Sequence, residues 1–297
     1  MEATLPTHIA YADESYYTKE RFRSVSVLTF EKSKETLLNN SFKSIIEESN
    51  IKEFKWSDLR QARDRFAATK IIDQTIEFAR KNHLRMDVLI WDTHDSRHKV
   101  QSRDDIANLQ RMYYHLFKNV LQNRWHKQCV WELFPDENSA LNWASVHDYL
   151  DIASLSMQVN PSIFENRPFS IRLNKDFQIL KIQEVSSIKE TLSQVTDLFA
   201  GIGAYSHSIF EKYSNWLDDE SGQMKFDFEN NNKFLKISNS ERERFRVIKY
   251  FDDQCKKAKL WVSLNRGKGF KTFDPKTPIN FWVYQPQHTN DKAPTKK

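Results

Sequence analysis

The sequence predicts a mixed α/β fold, on three observations. Short runs rich in β-branched and aromatic residues alternate with longer stretches of helical periodicity. Three of the short runs stop abruptly on or beside an acid, at Asp13, Asp92 and Asp136. No internal repeat or low-complexity linker divides the chain. A length of 297 residues is enough for one large domain. The simplest organisation is a mixed sheet flanked by helices over residues 1–217. A C-terminal helical and irregular elaboration over 218–286 packs on the same domain, and 287–297 forms a polar, disordered tail.

Taken in order, His8 to Asp13 reads as a strand. Its period of two puts Ile9, Tyr11 and Asp13 on one face and Ala10, Ala12 and Glu14 on the other. Only one of the two adjacent acids can therefore join a given site. Arg23 to Phe30 alternates and is the expected antiparallel neighbour. Ser33 to Glu48 carries Leu37, Leu38, Phe42, Ile45 and Ile46 at helical spacing. In Ile51 to Asp58, an extended chain puts Glu53 and Lys55 on one face and Phe54 and Trp56 on the other. Ser57 is a candidate cap for a helix running to about Lys81.

Arg85 to Asp92 is a central strand that runs into a polar loop containing His94, Asp95 and His98. A helix over Asp105 to Asn123, a strand over Cys129 to Phe134 and a helix over Ser139 to Leu155 follow. Phe169 to Leu173 and Gln178 to Ile182 are extended. Thr191 to Gly203 is helical, with Leu192, Val195, Phe199 and Ile202 in one apolar stripe and Gln194, Asp197 and Gly201 stacked opposite. A functional Asp197 therefore requires both faces of that helix to be partly buried, with Gly201 allowing close approach to the sheet. Ile209 to Leu217 is helical, Asp218 to Lys233 a polar loop, and Ser240 to Lys259 an amphipathic basic helix. An irregular segment then leads into an aromatic strand at Asn280 to Tyr284.

Composition excludes several functions. With only 5 glycines there is no Gly-rich phosphate loop. Cys129 and Cys255 alone give no zinc framework and no disulfide scaffold, which fits a cytoplasmic protein, with Cys129 read as a small core residue. No leader-like start and no apolar run of about 18 residues point to a membrane. The net charge of +5 is uneven, because Glu241 to Lys276 holds 11 Lys and Arg against 5 Asp and Glu. Such a region suits a polyanion, here nucleic acid, equally with a solvated helix face. Its candidate contacts are Arg242, Arg244, Arg246, Lys249, Lys256, Lys257 and Lys259, with Trp261 and Phe270 read either as core residues or as stackers for unpaired bases.

The acids carry the chemistry. Carboxylates at neighbouring strand ends converge, and a cluster of them is prohibitive unless cations neutralise it. Oxygen donors without Cys or a paired-His motif suit Mg²⁺ or Mn²⁺, and two such ions about 3.5–4 Å apart promote phosphodiester cleavage. Each acid also has a plain structural use: Asp13 as a turn cap, Glu53 and Lys55 as a surface ion pair. Asp92, Asp95 and Asp136 all stand as candidates for the third ligand, Asp92 lying nearest its strand.

Tyr11-Ala-Asp13-Glu14-Ser15, Glu53-Phe-Lys55-Trp56, a strand ending on Asp92, Gln194-x-x-Asp197-Leu-x-Ala-Gly201 and the closing Asn280-Phe-Trp-Val-Tyr284 resemble one family across nearly the whole chain. It is the domain-of-unknown-function family numbered thirty-eight hundred, with a ribonuclease H-like fold. Tyr16 stands where that family usually has glycine. The resemblance implies a two-metal nuclease in which Asp13, Glu53, Asp92 and Asp197 hold two Mg or Mn ions. Gln194 would orient Asp197 or contact substrate, and Lys55 would contact phosphate. It also implies DNA or RNA as substrate and a setting near mobile elements or anti-phage systems, with another defence protein as partner. The alternatives are a non-catalytic nucleic-acid-binding or assembly subunit that keeps the fold, a small-molecule phosphohydrolase, and a structural interaction protein, which leaves the acid pattern without a purpose.

Overall fold

The computed structural model describes residues 4–15, 21–95, 104–160, 170–220, 237–264 and 268–285. Tyr16, His98, the tail over 287–297 and most of the expected polar loop over 218–233 lie outside them. The strands are β1 (His8–Ser15), β2 (Phe22–Glu31), β3 (Arg85–Asp92), β4 (Cys129–Pro135) and β5 (Leu155–Asn160), then β6 (Ser170–Lys175), β7 (Phe177–Ile182), β8 (Val262–Ser263), β9 (Lys271–Thr272) and β10 (Ile279–Val283). The helices are α1 (Glu35–Glu48), α2 (Ala62–Arg80), α3 (Asp105–Asn123), α4 (Trp143–Ala153), α5 (Thr191–Ser208), α6 (Phe210–Glu220) and α7 (Asn239–Lys257).

Six strands form one mixed sheet in the order β10-β3-β2-β1-β4-β7. β2 runs antiparallel to both β1 and β3, while β4 lies parallel to β1, β7 to β4 and β10 to β3. This mixed sheet flanked by helices is compatible with a ribonuclease H-like fold. β10 comes from the C-terminal elaboration yet completes the edge of the main sheet, so the elaboration and the domain share a core.

The pleat divides the core as the alternation in β1 predicts. Ile9 and Tyr11 pack under α1, α2, α5 and α7, whereas Ala10 and Ala12 face α3 and α4. Helix α5 lies across β1, β2 and β3 and is buried on both sides, including Leu192, Gln194, Val195, Phe199 and Ile202. Two serines of β2 seat it. Ser24 Oγ donates to the Ala200 carbonyl at 2.6 Å and Ser26 Oγ to the Thr196 carbonyl at 2.7 Å. These bonds satisfy the polar side chains that β2 buries beneath a helix.

The two helical glycines divide their tasks differently from expectation. Gly203 faces the sheet, where a Cβ would come 2.8 Å from Val88 Cγ1. Gly201 faces Trp56 instead, and a Cβ there would lie 2.1 Å from its Cγ. Ser57 does not cap α2. It sits in a single 3₁₀ turn over Trp56–Asp58, and Asp64 reaches back to the Gln61 N–H at 3.1 Å at the true helix start. No helix among the described residues is long and apolar enough to cross a membrane.

Candidate metal-binding acidic site

Four elements bring carboxylates to one end of β1. Asp13, near the end of β1, is buried on the face toward α5. Asp136 follows β4, the parallel neighbour of β1, and its N–H donates to the Ala12 carbonyl at 2.8 Å. Asp197 lies on α5, and Glu53 on the extended segment before the 3₁₀ turn. That segment alternates as predicted, with Phe54 and Trp56 buried and Glu53 and Lys55 turned outward.

Residues one helical turn apart on α5 hold it in place. Gln194 Oε1 accepts the Phe54 N–H at 2.8 Å and Asp197 Oδ2 accepts the Trp56 N–H at 2.6 Å. The Gln194 amide also donates to the Ser187 carbonyl at 2.7 Å. Gln194 is thus buried and committed to backbone at both ends, and it positions the Glu53 segment. Ser187 serves two acids, its hydroxyl donating to Glu53 Oε1 at 2.7 Å and its N–H to Asp136 Oδ1 at 3.1 Å. Ser193 Oγ adds a longer bond to Asp136 at 3.3 Å. Lys55 Nζ lies 3.3 Å from Glu53 Oε1 and is the cation beside the cluster.

The electrostatics reflect crowding. Burial, then the charges of Asp197, Glu14 and Asp136, push the Asp13 carboxyl well above the carboxylate range. Burial, with Asp136 and Glu53 nearby, pushes Asp197 up to about 7 against the opposing pull of the Trp56 N–H and Lys55. Burial also raises Asp136, although Glu137, Ser193 and Ser187 donate to it. Burial works against the Lys55 charge, but Glu53, Asp136 and Asp197 outweigh it and hold the ammonium above its usual range. A set of acids with one exposed lysine is short of positive charge.

Asp92 does not join them. In the sheet order β1 and β3 are separated by β2; Asp13 is level with Ser26 and hence Val88, leaving Asp92 roughly 13 Å further along its strand. Arg21 claims it instead, at 2.6 Å. Burial opposes its charge, yet Arg21 and the His94 N–H hold Asp92 below the ordinary range. The acid that the fold places beside Asp13 is therefore Asp136, since β4 is next to β1 and β3 is not. Glu14 falls on the opposite face, where Tyr113 donates to it and Asn138 Nδ2 donates at 2.7 Å.

The basic helix is only partly open. Arg242, Arg246, Lys249, Lys256 and Lys257 of α7 and Lys259 just beyond it are exposed, but Arg246 pairs with Glu243 at 2.8 Å and Lys256 with Asp252. Arg244 is half-buried and engaged within the fold. It donates to the Ser57 carbonyl at 2.8 Å and lies over the rings of Trp56 and Tyr205. Phe270 is in the core, whereas Trp261 is 64% exposed. An open groove of about 750 Å³ runs beside Trp261 and Phe273 with Lys256, Lys259 and Lys271 along it.

Among the described residues, the trio whose ligand atoms all lie within 4.8 Å of one another is not carboxylic but His8, His126 and Cys129. It sits at the opposite end of β1 from Asp13. Sequence spacing hid it, because His8 is brought to the other two only by the β1–β4 pairing.

No protein family model matches the chain. It is 38% identical over 292 residues to "Uncharacterized protein ORF2′" of Methanothermobacter thermautotrophicus, covering 96% of each chain. It is also 36% identical over 294 residues to "Uncharacterized protein ORF2" of the same organism, covering 96% of this chain and 97% of the other.

Proposed function

The chain belongs to the family of the Methanothermobacter ORF2 and ORF2′ proteins, and we propose that it is a divalent-cation-dependent nuclease centred on Asp13, Asp136, Asp197 and Glu53. One observation carries this. Buried Asp13 of β1 feels the charges of Asp197 and Asp136, and buried Asp197 of α5 that of Asp136, with a lysine as the accompanying cation. Such crowding is relieved by a retained proton or by a bound cation, and a cation lets all the carboxylates ionise.

The donors are all hard oxygens, which fits Mg²⁺ or Mn²⁺. Two oxygens on one Mg²⁺ lie at most about 4.2 Å apart, and no three of the carboxylates are gathered within 4.8 Å. A bound ion would therefore have to draw the carboxylates closer together than they stand. When bound, such ions supply Lewis acidity to a phosphoryl oxygen and lower the pKa of an attacking water. The protein's own contribution is orientation. Ser187 fixes Glu53 and Asp136, the Trp56 N–H fixes Asp197, and Gln194 locks the segment that carries Glu53. Lys55 stands exposed where an anionic phosphate would approach. The open cations of α7 and the Trp261 groove support a polymer as substrate over a mononucleotide.

The test is incubation of labelled single- and double-stranded DNA and RNA with and without Mg²⁺ or Mn²⁺, beside Asp13→Asn and Asp197→Asn. Metal-dependent cleavage lost in both variants is the expected result. Equal cleavage by all three proteins would overturn the site. Tight binding with no cleavage of any substrate would make the chain a nucleic-acid-binding or assembly subunit.

A further inference from the structure

We propose that His8, His126 and Cys129 form a second metal site, for a thiophilic divalent cation with Zn²⁺ as the natural occupant. His126 and Cys129 flank a tight turn in which Gln128 has φ 71°, so a His-x-x-Cys spacing folds back on itself. His8 arrives from the parallel partner strand. The Thr7 N–H donates to the Val130 carbonyl at 2.8 Å, which brings the start of β1 against the start of β4. The resulting donor set of two imidazoles and one thiol is borderline-soft, unlike the oxygen set around Asp13.

Hydrogen bonding prepares His8 for this task. Thr7 Oγ1 has a single proton and directs it to the Val130 carbonyl at 3.2 Å, while accepting the Val130 N–H at 2.9 Å. His8 Nδ1 lies 2.8 Å from Thr7 Oγ1, and in the tautomer that metal binding through Nε2 requires it donates to that oxygen. Its Nε2 then carries the lone pair and lies 3.9 Å from Cys129 Sγ. Tetrahedral Zn²⁺ with bonds of about 2.0–2.3 Å needs nitrogen and sulfur roughly 3.5 Å apart, so a shift of a few tenths of an ångström closes that edge. A hydrogen bond from the non-ligating ring nitrogen to an oxygen such as Thr7 Oγ1 is what orients a metal-binding histidine.

The site has one door. His8 and Cys129 are buried beside Trp125 and Trp131, whereas His126 is exposed, its ring edge-on to that of His8 at 5.3 Å between centroids. A solvent or exogenous ligand takes the fourth position. The Cys129 thiol, which donates to the His126 carbonyl at 3.0 Å, gives its proton to solvent as the sulfur bonds the metal. Five residues of strand, roughly 17 Å, separate His8 from Asp13, so this ion would clip β1 to β4 and not take part at the acids.

The test is Co²⁺ titration of the full chain, purified without a histidine tag, followed by Zn²⁺ competition. One equivalent of Co²⁺ should give a sulfur-to-cobalt charge-transfer band that Zn²⁺ abolishes. Cys129→Ser should lose the band, and His126→Ala, a surface change that leaves the fold intact, should weaken affinity at least about tenfold. Asp13→Asn should bind Co²⁺ at sulfur as the wild type does, which separates this site from the acidic one. Absence of the band in the wild type, its persistence in Cys129→Ser, or unchanged affinity in His126→Ala would each overturn the assignment.

Discussion

Asp197 accepts the backbone N–H of Trp56 at 2.6 Å, so an acid of α5 is tied to the segment that carries Glu53 and Lys55. The same carboxylate that is available to a cation also anchors a loop. Its two duties respond differently to substitution.

Asp197→Asn retains an acceptor for Trp56 but removes the charge. The Asp197 carboxyl is raised to about 7 in the fold, from 3.8 unfolded. Its contribution is therefore fully favourable below pH about 4 and is lost as pH rises toward 7. In chelator, the variant should match wild type near pH 4 and exceed it by about 2–4 kcal/mol at pH 8. Denaturant titrations at the two pH values measure this; a variant less stable at pH 8 would refute it.

Asp136→Asn and Asp92→Asn separate the acid chosen by geometry from the one chosen by motif. Cleavage should fall at least about 100-fold in Asp136→Asn. Asp92→Asn should stay within about twofold, because it loses an exposed ion pair with Arg21. Single-turnover rates with Mn²⁺ decide between them.

Gly201→Ala should destabilise by about 2–4 kcal/mol, since the new methyl meets the buried Trp56 ring and not a mobile side-chain end. Gly203→Ala should cost less, as Val88 Cγ1 can yield. Equal losses in urea titrations would contradict the difference.

Arg244→Met should lower stability by about 1–3 kcal/mol through lost bonds to Trp56 and Ser57, while leaving the salt dependence of nucleic-acid binding unchanged. Arg242→Ala and Lys257→Ala should each reduce the slope of log affinity against log salt by about one. Anisotropy titrations across a salt series distinguish the two classes.

Local pattern foretold much of this molecule. The alternation in β1 assigned Asp13 and Glu14 to opposite faces, and the wheel of α5 required burial on both sides; each holds. Strand order was not local information. Asp92 and Asp136 look alike in sequence, each beside a strand end, and only the placement of β4 next to β1 selects between them. Arg244 misled for a related reason: on a helical wheel it is one more basic residue, and its partners, Trp56 and Ser57, are far away in the chain. The His8, His126 and Cys129 trio was invisible for the same cause.

The serine bonds beneath α5 carry a temporal consequence. Ser24 reaches Ala200 across 176 residues of chain, so the helix that delivers Asp197 is seated only after most of the polypeptide has left the ribosome. Contacts of such long sequence separation form late in folding. A nascent chain would thus present its acids one at a time, and Asp197 would join Asp13 and Asp136 only once α5 is seated.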